Sequence, residues 1–482
     1  MRKSSIALGV IVALGALWTG GAWYTGKTAE AQYQYQLNKS NERLATLSLG
    51  GEMSAQLENV KFERGLFSSA VSYDAVIRST KENKSYVIPF AGKVYHGPLT
   101  INDFSVAMFS AEVAMVKNQQ TENWFKDNQS NPLKSTFMMT YDQRLKGTAY
   151  SDVSGELNNG RLEWSLSADF DTDKDGYGKT RVTIPSAKIT LDALPHETAS
   201  ERDGLQSGVL TAVNSHIELG RTPDEALKAL LPGSYYLKSE DLRLDGKNHA
   251  GQTISTAFKN AELGLAIKAE QGFADAAVMY KAEDIAHNGL SFGGADMIMQ
   301  FNHLDVQALN TLTDEMDKQQ GDNLTLTPLA DDALKVILNR SPQIKITPFA
   351  FFNPKGKLSA QFNLVLTKDV EQRVREQKTV LGLFNELGLD IELDKAALSE
   401  YLTLIEQANS PTLGREAAAA LADSQMQELL RQARQANLFN ETDEQLSLHL
   451  LLDNHQLNFN GAPLSDQEVQ MALFAAMMMF GR

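Results

Sequence analysis

The sequence predicts an α+β chain, mainly β, with an N-terminal transmembrane helix followed by extended, curved antiparallel sheets and a few flanking helices. Three observations predict it. The amino end carries one long uncharged apolar run, most of the remaining chain alternates apolar and polar residues with period two, and helical periodicity is confined to a few stretches. The expected division is a cytoplasmic tip and anchor over 1–27, a juxtamembrane helix over 28–47, a β-rich region over 48–303 and an α+β region over 304–482.

Arg2 and Lys3 are followed by SSIALGVIVALGALWTGGAWYTG, in which no residue from Ser4 to Gly26 is charged. As a helix this run extends roughly 34 Å, enough to cross a hydrocarbon core of about 30 Å. Ile6, Val10, Leu14 and Leu17 supply its apolar surface. Trp18, Trp23 and Tyr24 stand at the far end, where amphipathic rings favour the interface, and the two cations hold the near end inside. The alternative is a cleaved signal peptide, with Gly20 and Ala22 or Ala29 and Ala31 as small residues at the cleavage site. Either reading exports the rest of the chain. TAEAQYQYQLNKSNERLATL, from Thr28 to Leu47, lacks Gly and Pro and is rich in helix formers, so the helix is expected to continue.

Beyond it the period changes. In AVSYDAVIRS, Val71, Tyr73, Ala75 and Ile77 alternate with mostly polar neighbours; in GRLEWSLSADF, Leu162, Trp164, Leu166, Ala168 and Phe170 do so. The pattern returns in KTRVTIPSAKITLDAL, SEDLRLDG and GADMIMQFNHL. QIKITPFAFFNPKGKLSAQFNLVL holds two such runs around Asn353-Pro354-Lys355-Gly356, a turn sequence that predicts a hairpin. EQLSLHLLLDNHQLNFNGAPL repeats the device around Asn454. Helices are expected at Asp305 to Gln320, at Ala330 to Ser341, from Gly414 onward, and in SDQEVQMALFAAMMMFGR, where Ser465 is the N-cap. The uncharged run from Val469 to Gly481 is too short to span a bilayer and predicts a helix docked on the sheet.

Composition removes several function classes. The formal net charge of −15 and the lack of a basic stripe argue against nucleic acid, and the count of zero cysteines excludes disulfides, thiolate catalysis and cysteine-held metals. DTDKDGYG places Asp171, Asp173 and Asp175 at the first three ligand positions of a calcium loop, with Gly176 next. Position 12 is Val182, however, and strands rather than helices flank the loop. An exposed turn is the default reading, and calcium on those three aspartates the alternative. GLSFG matches the nucleophile-elbow pattern at Ser291, yet a strand rather than a helix leaves it. The late hairpin could bring His449 and His455 together, and an exposed strand pair explains them equally well. No catalytic constellation stands out, and the chain is expected not to be an enzyme and to need no cofactor.

ALGALWTGGAWYTGK, FERGLFSS at Phe62 to Ser69, YHGP at Tyr95 to Pro98 and NFNGAPLS near the end resemble the YdgA/YihF family of Gram-negative envelope proteins, over the length of the chain. The resemblance implies attachment to the inner membrane with the bulk in the periplasm, and transfers no catalytic residue. Together with the amphipathic strands it leads to the expectation of a non-catalytic protein of envelope maintenance. Its sheet is expected to bind lipid or another hydrophobic ligand; the alternatives are a periplasmic protein-interaction or structural scaffold with an envelope protein as partner and, behind both, an envelope hydrolase.

Overall fold

The computed structural model describes Asn41, Leu44 and, apart from short intervals, residues 53–469. Among the described residues no helix is long and apolar enough to cross a membrane. The expected anchor, with Ile6, Val10, Leu14, Leu17, Trp18, Trp23 and Tyr24, lies outside them. Of the expected juxtamembrane helix only Asn41 and Leu44 are described, both helical. The chain forms two compact units, Met1–Thr222 with Leu237–Ile254, and Pro223–Tyr236 with Ser255–Arg482.

The first unit is an antiparallel meander. Its strands are β1 (Met53–Arg64), β2 (Ser68–Ser79), β3 (Lys84–His96), β4 (Phe109–Met115), β5 (Leu133–Met139), β6 (Arg144–Leu157), β7 (Gly160–Asp173), β8 (Gly178–Leu191), β9 (Leu205–Arg221) and β10 (Gly233–Asn248). Each of the first nine pairs with its neighbour in sequence. β9 continues to β10, where the Ser215 hydroxyl donates to Ser239 at 2.8 Å. Alternation aims one side chain in two at a shared interior. Val71 and Ala75 of β2, Ile88 and Phe90 of β3, Phe109 and Val113 of β4, Leu133 and Phe137 of β5, Val153 of β6 and Leu162, Trp164 and Phe170 of β7 form one contiguous buried cluster. Phe90 is 1% exposed and Leu133 0%. Leu44 joins the cluster, and the Asn41 side chain brackets Leu57, accepting from its N–H at 2.8 Å.

Close approach in this layer requires glycine at Gly92. It stands opposite Val113, and a Cβ there would meet the Glu112 carbonyl oxygen at 2.2 Å. The buried Trp164 indole donates to Ser151 Oγ at 2.9 Å, so its polar edge is satisfied within the core.

The second unit is also an antiparallel meander, with insertions. Strands β11 (Thr253–Glu270), β12 (Phe273–Ala282), β13 (Asp284–His287), β14 (Leu290–Ser291) and β15 (Gly294–Asp305) are followed by α1 (Val306–Asp317) and α2 (Pro328–Leu338). Then come β16 (Gln343–Asn353), β17 (Gly356–Leu366) and β18 (Phe384–Asp394), the helices α3 (Lys395–Asn409) and α4 (Arg415–Gln435), and β19 (Asn440–Glu441), β20 (Gln445–Asp453), β21 (Gln456–Phe459) and β22 (Ala462–Pro463). The principal ladder runs β11, β12, β15, β16, β17, β18, β20, β21.

Three expected helices start close to their predicted positions. Thr327 caps α2, its hydroxyl accepting from Ala330 N–H at 3.1 Å, with Pro328 at the first turn. α3 was not among the expectations. The carboxylate of Asp394, the residue before it, accepts from the Lys357 N–H at 2.7 Å instead of capping the helix. The described part of the terminal helix, Gln467 to Val469, follows Ser465, the expected N-cap. The Ser465 N–H donates to the Glu468 carboxylate at 2.8 Å and the Glu468 N–H donates to Ser465 Oγ at 3.4 Å, a capping box.

Candidate functional site: an apolar sheet face

Register turns the alternation of the second unit into rows. Residues directly opposite one another lie on the same face. Reading across the principal ladder, one row is Leu265, Val278, Met299, Ile346, Phe362, Leu389, Leu450 and Phe459. All eight are apolar. The next row on the same face is Leu263, Tyr280, Met297, Phe349, Ala360, Ile391 and Leu448. At about 4.8 Å between strands, the first row extends roughly 34 Å. A row of the opposite face reads Lys281, Asp296, Ala350, Ser359, Glu392 and Ser447, polar or charged except at Ala350, with Ala350 and Ser359 buried.

Helices cover the apolar face in patches. α1 lays Val306 and Leu309 against Ile267, Ala274 and Ala276, and Leu227 joins them. α3 and α4 lay Leu398, Leu402, Met426 and Leu430 against Leu393 and Leu446. Leu381 and Val469 sit on Leu450, Leu452 and Leu457. Between these patches the two rows keep solvent-accessible surface: Leu263 is 48% exposed, Leu265 36% and Phe349 38%; Phe351, one pair further along the same face, is 37% exposed. Phe349 and Phe351 meet edge to face with ring centroids 5.4 Å apart. Desolvation on this face pushes the Tyr280 phenol above its ordinary value, so the ring stays neutral.

The motifs singled out from the sequence lie elsewhere. The DTDKDGYG segment is the turn between β7 and β8. Asp171 accepts from Arg144 Nε at 2.6 Å and lies 3.3 Å from Lys146 Nζ, two cations supplied by the neighbouring strand β6. Asp173 Oδ1 accepts from the backbone N–H groups of Asp175 at 2.8 Å and Tyr177 at 2.9 Å, and Gly176 takes φ of +83°. The carboxylates of Asp171 and Asp173 are therefore engaged by a strand neighbour and by the turn itself. Among the described residues no three His, Asp or Glu side chains gather into a group that could hold a metal ion.

Ser291 lies on β14, opposite Ala286 in a hairpin that turns at Asn288-Gly289, and its hydroxyl donates to Asp284. His449 Nδ1 lies 2.9 Å from Asp390 of the adjacent strand, and His455 lies outside the described residues. Arg64-Gly65 opens the β1–β2 turn as its composition implies. Ser69 Oγ and His96 Nε2, from FERGLFSS and YHGP, are 2.9 Å apart, joining β2 to β3; their spacing in sequence gave no sign of this contact.

The sequence profile of DUF945, described as a bacterial protein of unknown function, matches residues 1–467. The chain belongs to the DUF945 family. It is 23% identical over 506 aligned residues to Protein YdgA of Escherichia coli, covering 96% of this chain and 95% of that one. It is 21% identical to the uncharacterized protein YihF of Escherichia coli, covering 97% and 98%. An uncharacterized protein of Haemophilus influenzae is 27% identical over 325 residues, covering 65% of this chain and 85% of the relative. No solved structure matches. The resemblance carried by the ALGALWTGGAWYTGK, FERGLFSS, YHGP and NFNGAPLS segments is thus membership of DUF945.

Proposed function

We propose that this DUF945 protein is a non-catalytic, single-span inner-membrane protein of envelope maintenance, with its bulk in the periplasm and a hydrophobic ligand, most naturally lipid, held on the apolar face of the second unit. The observation that carries the reading is the pair of apolar rows through Leu265 and Leu263, which stay partly exposed between the helical patches. Exposed apolar surface contiguous over several strands is uncommon on a protein whose faces are all in water, and it marks an interaction site. A row of roughly 34 Å exceeds the length of the acyl chains in one leaflet, about half of a hydrocarbon core of about 30 Å. The uncharged run from Ser4 to Gly26 supports attachment to the membrane that would supply such a ligand.

The test is site-specific photo-cross-linking in cells producing the full chain. A benzophenone side chain at Phe349 or Met297 is expected to give lipid adducts, detected by mass spectrometry, while the same group at Lys345 or Glu392 on the opposite face gives none. Polypeptide adducts at Phe349 in place of lipid would replace the reading with a protein-interaction role. Equal labelling of both faces would remove the site.

A further inference from the structure

Among the described residues the guanidinium of Arg221, beside the turn that carries DTDKDGYG, has no carboxylate partner. Register places Leu145 of β6, Thr172 of β7, Gly178 of β8 and Arg221 of β9 opposite one another in a single row. Leu145 belongs to the buried cluster of the first unit, so the row lies on the face turned towards that core. Thr172 is 1% exposed, and its Oγ1 has no hydrogen-bond partner. Two strands away, the Nε atom of Arg221 is also buried and without a partner. Gly178, between them, contributes no side chain to the row, and a Cβ there would meet the Asp171 carbonyl oxygen at 2.3 Å. The carboxylates of Asp171 and Asp173 are engaged elsewhere, the first by Arg144 and Lys146, the second by the N–H groups of Asp175 and Tyr177. What holds the guanidinium is the Tyr177 ring, with Arg221 Cζ 5.5 Å from its centroid. A buried N–H and a buried hydroxyl left unpaired are costly, and both are donors that an oxyanion accepts from.

We propose that Thr172 and Arg221 form an oxyanion site at the β7–β8 turn end of the first unit's core, and that its ligand is phosphate or a phosphodiester. The guanidinium donates to one oxygen and the threonine hydroxyl to another, and a tetrahedral anion presents oxygens to both at once. Tyr177 occupies a face of the guanidinium and leaves its N–H edge for the anion. Free phosphate and the headgroup of a phospholipid share this chemistry. The site belongs wholly to the first unit and does not depend on ligand binding by the second.

The experiment titrates the purified full chain with sodium phosphate and, separately, with glycerophosphoglycerol, a headgroup phosphodiester without acyl chains, and follows Tm against sodium chloride at matched ionic strength. A saturable rise in Tm with at least one of the two is expected. The tighter binder of the two separates the free anion from the headgroup. Arg221→Gln is expected to increase the half-saturating concentration about tenfold or more, and the near-isosteric Thr172→Val about threefold, with Arg221→Lys retaining part of the affinity. The Tm of each variant in chloride shows that it is folded before its titration is read, and if Arg221→Gln does not fold, Thr172→Val and Arg221→Lys carry the test. No saturable response in the unaltered chain, or a response that the folded variants leave unchanged, would overturn the site.

Discussion

In the first unit, alternate residues of β1 to β7 converge on one contiguous buried cluster, whereas in the second the buried apolar residues fall into four small clusters. The strands themselves look alike. Both sets are antiparallel, both alternate with period two, and both offer one apolar face. Coverage is what differs. Phe90 has no appreciable surface left, while Phe349, in the same kind of strand, keeps 38% of its surface. A face that its own chain packs completely can only stabilise the fold; a face covered in patches can also bind.

The sharpest way to break this contrast is to truncate one aromatic side chain in each unit. Phe90→Ala is expected to cost about 3–5 kcal/mol, because it opens a cavity in a closed core stacked on Tyr73. Phe349→Ala should cost only about 1 kcal/mol, since much of the ring is already in water. Chemical denaturation of the two variants measures the difference, and similar losses would mean that the second unit is as closed as the first. Gly92→Ala sharpens the same point from the backbone side. The added carbon would press on the Glu112 carbonyl, and a loss of about 1–3 kcal/mol is expected by denaturation.

The smallest effect concerns the ion-pair network that holds α4 and α3 to the β19 segment. Arg434, with Lys395, lowers the Glu441 carboxyl to about 2. A carboxyl depressed in the folded state stabilises it above the unfolded value, and the contribution is lost as pH falls towards 2. Glu441→Gln is therefore expected to lower Tm slightly at pH 7 and to leave it unchanged at pH 2. A Tm difference that grows on acidification would contradict the assignment.

Much of the strand content was legible because alternation is local. The hairpin at Asn353-Pro354-Lys355-Gly356 and the late one near Asn454 are where turn chemistry puts them. α3 escaped notice because its preceding Asp394 serves Lys357 across the sheet, a use that no local pattern announces. Legibility of the candidate site was divided in the same way. The apolar residues of each row could be read strand by strand, but their alignment into rows depends on register, and their exposure depends on which helices fold back over them. The aspartates of DTDKDGYG illustrate the converse: their spacing is visible, while Arg144 and Lys146, which engage Asp171, come from another strand.

The meander order of the first unit has a consequence for how the protein is made. Because each strand from β1 to β9 pairs with the next in sequence, most ladders close across a short connection and require little loop entropy. Contact order stays low for an all-antiparallel layer, which favours rapid, progressive zippering. Such a layer can be laid down hairpin by hairpin from its amino end, each new strand finding its template already in place before the rest of the chain has arrived.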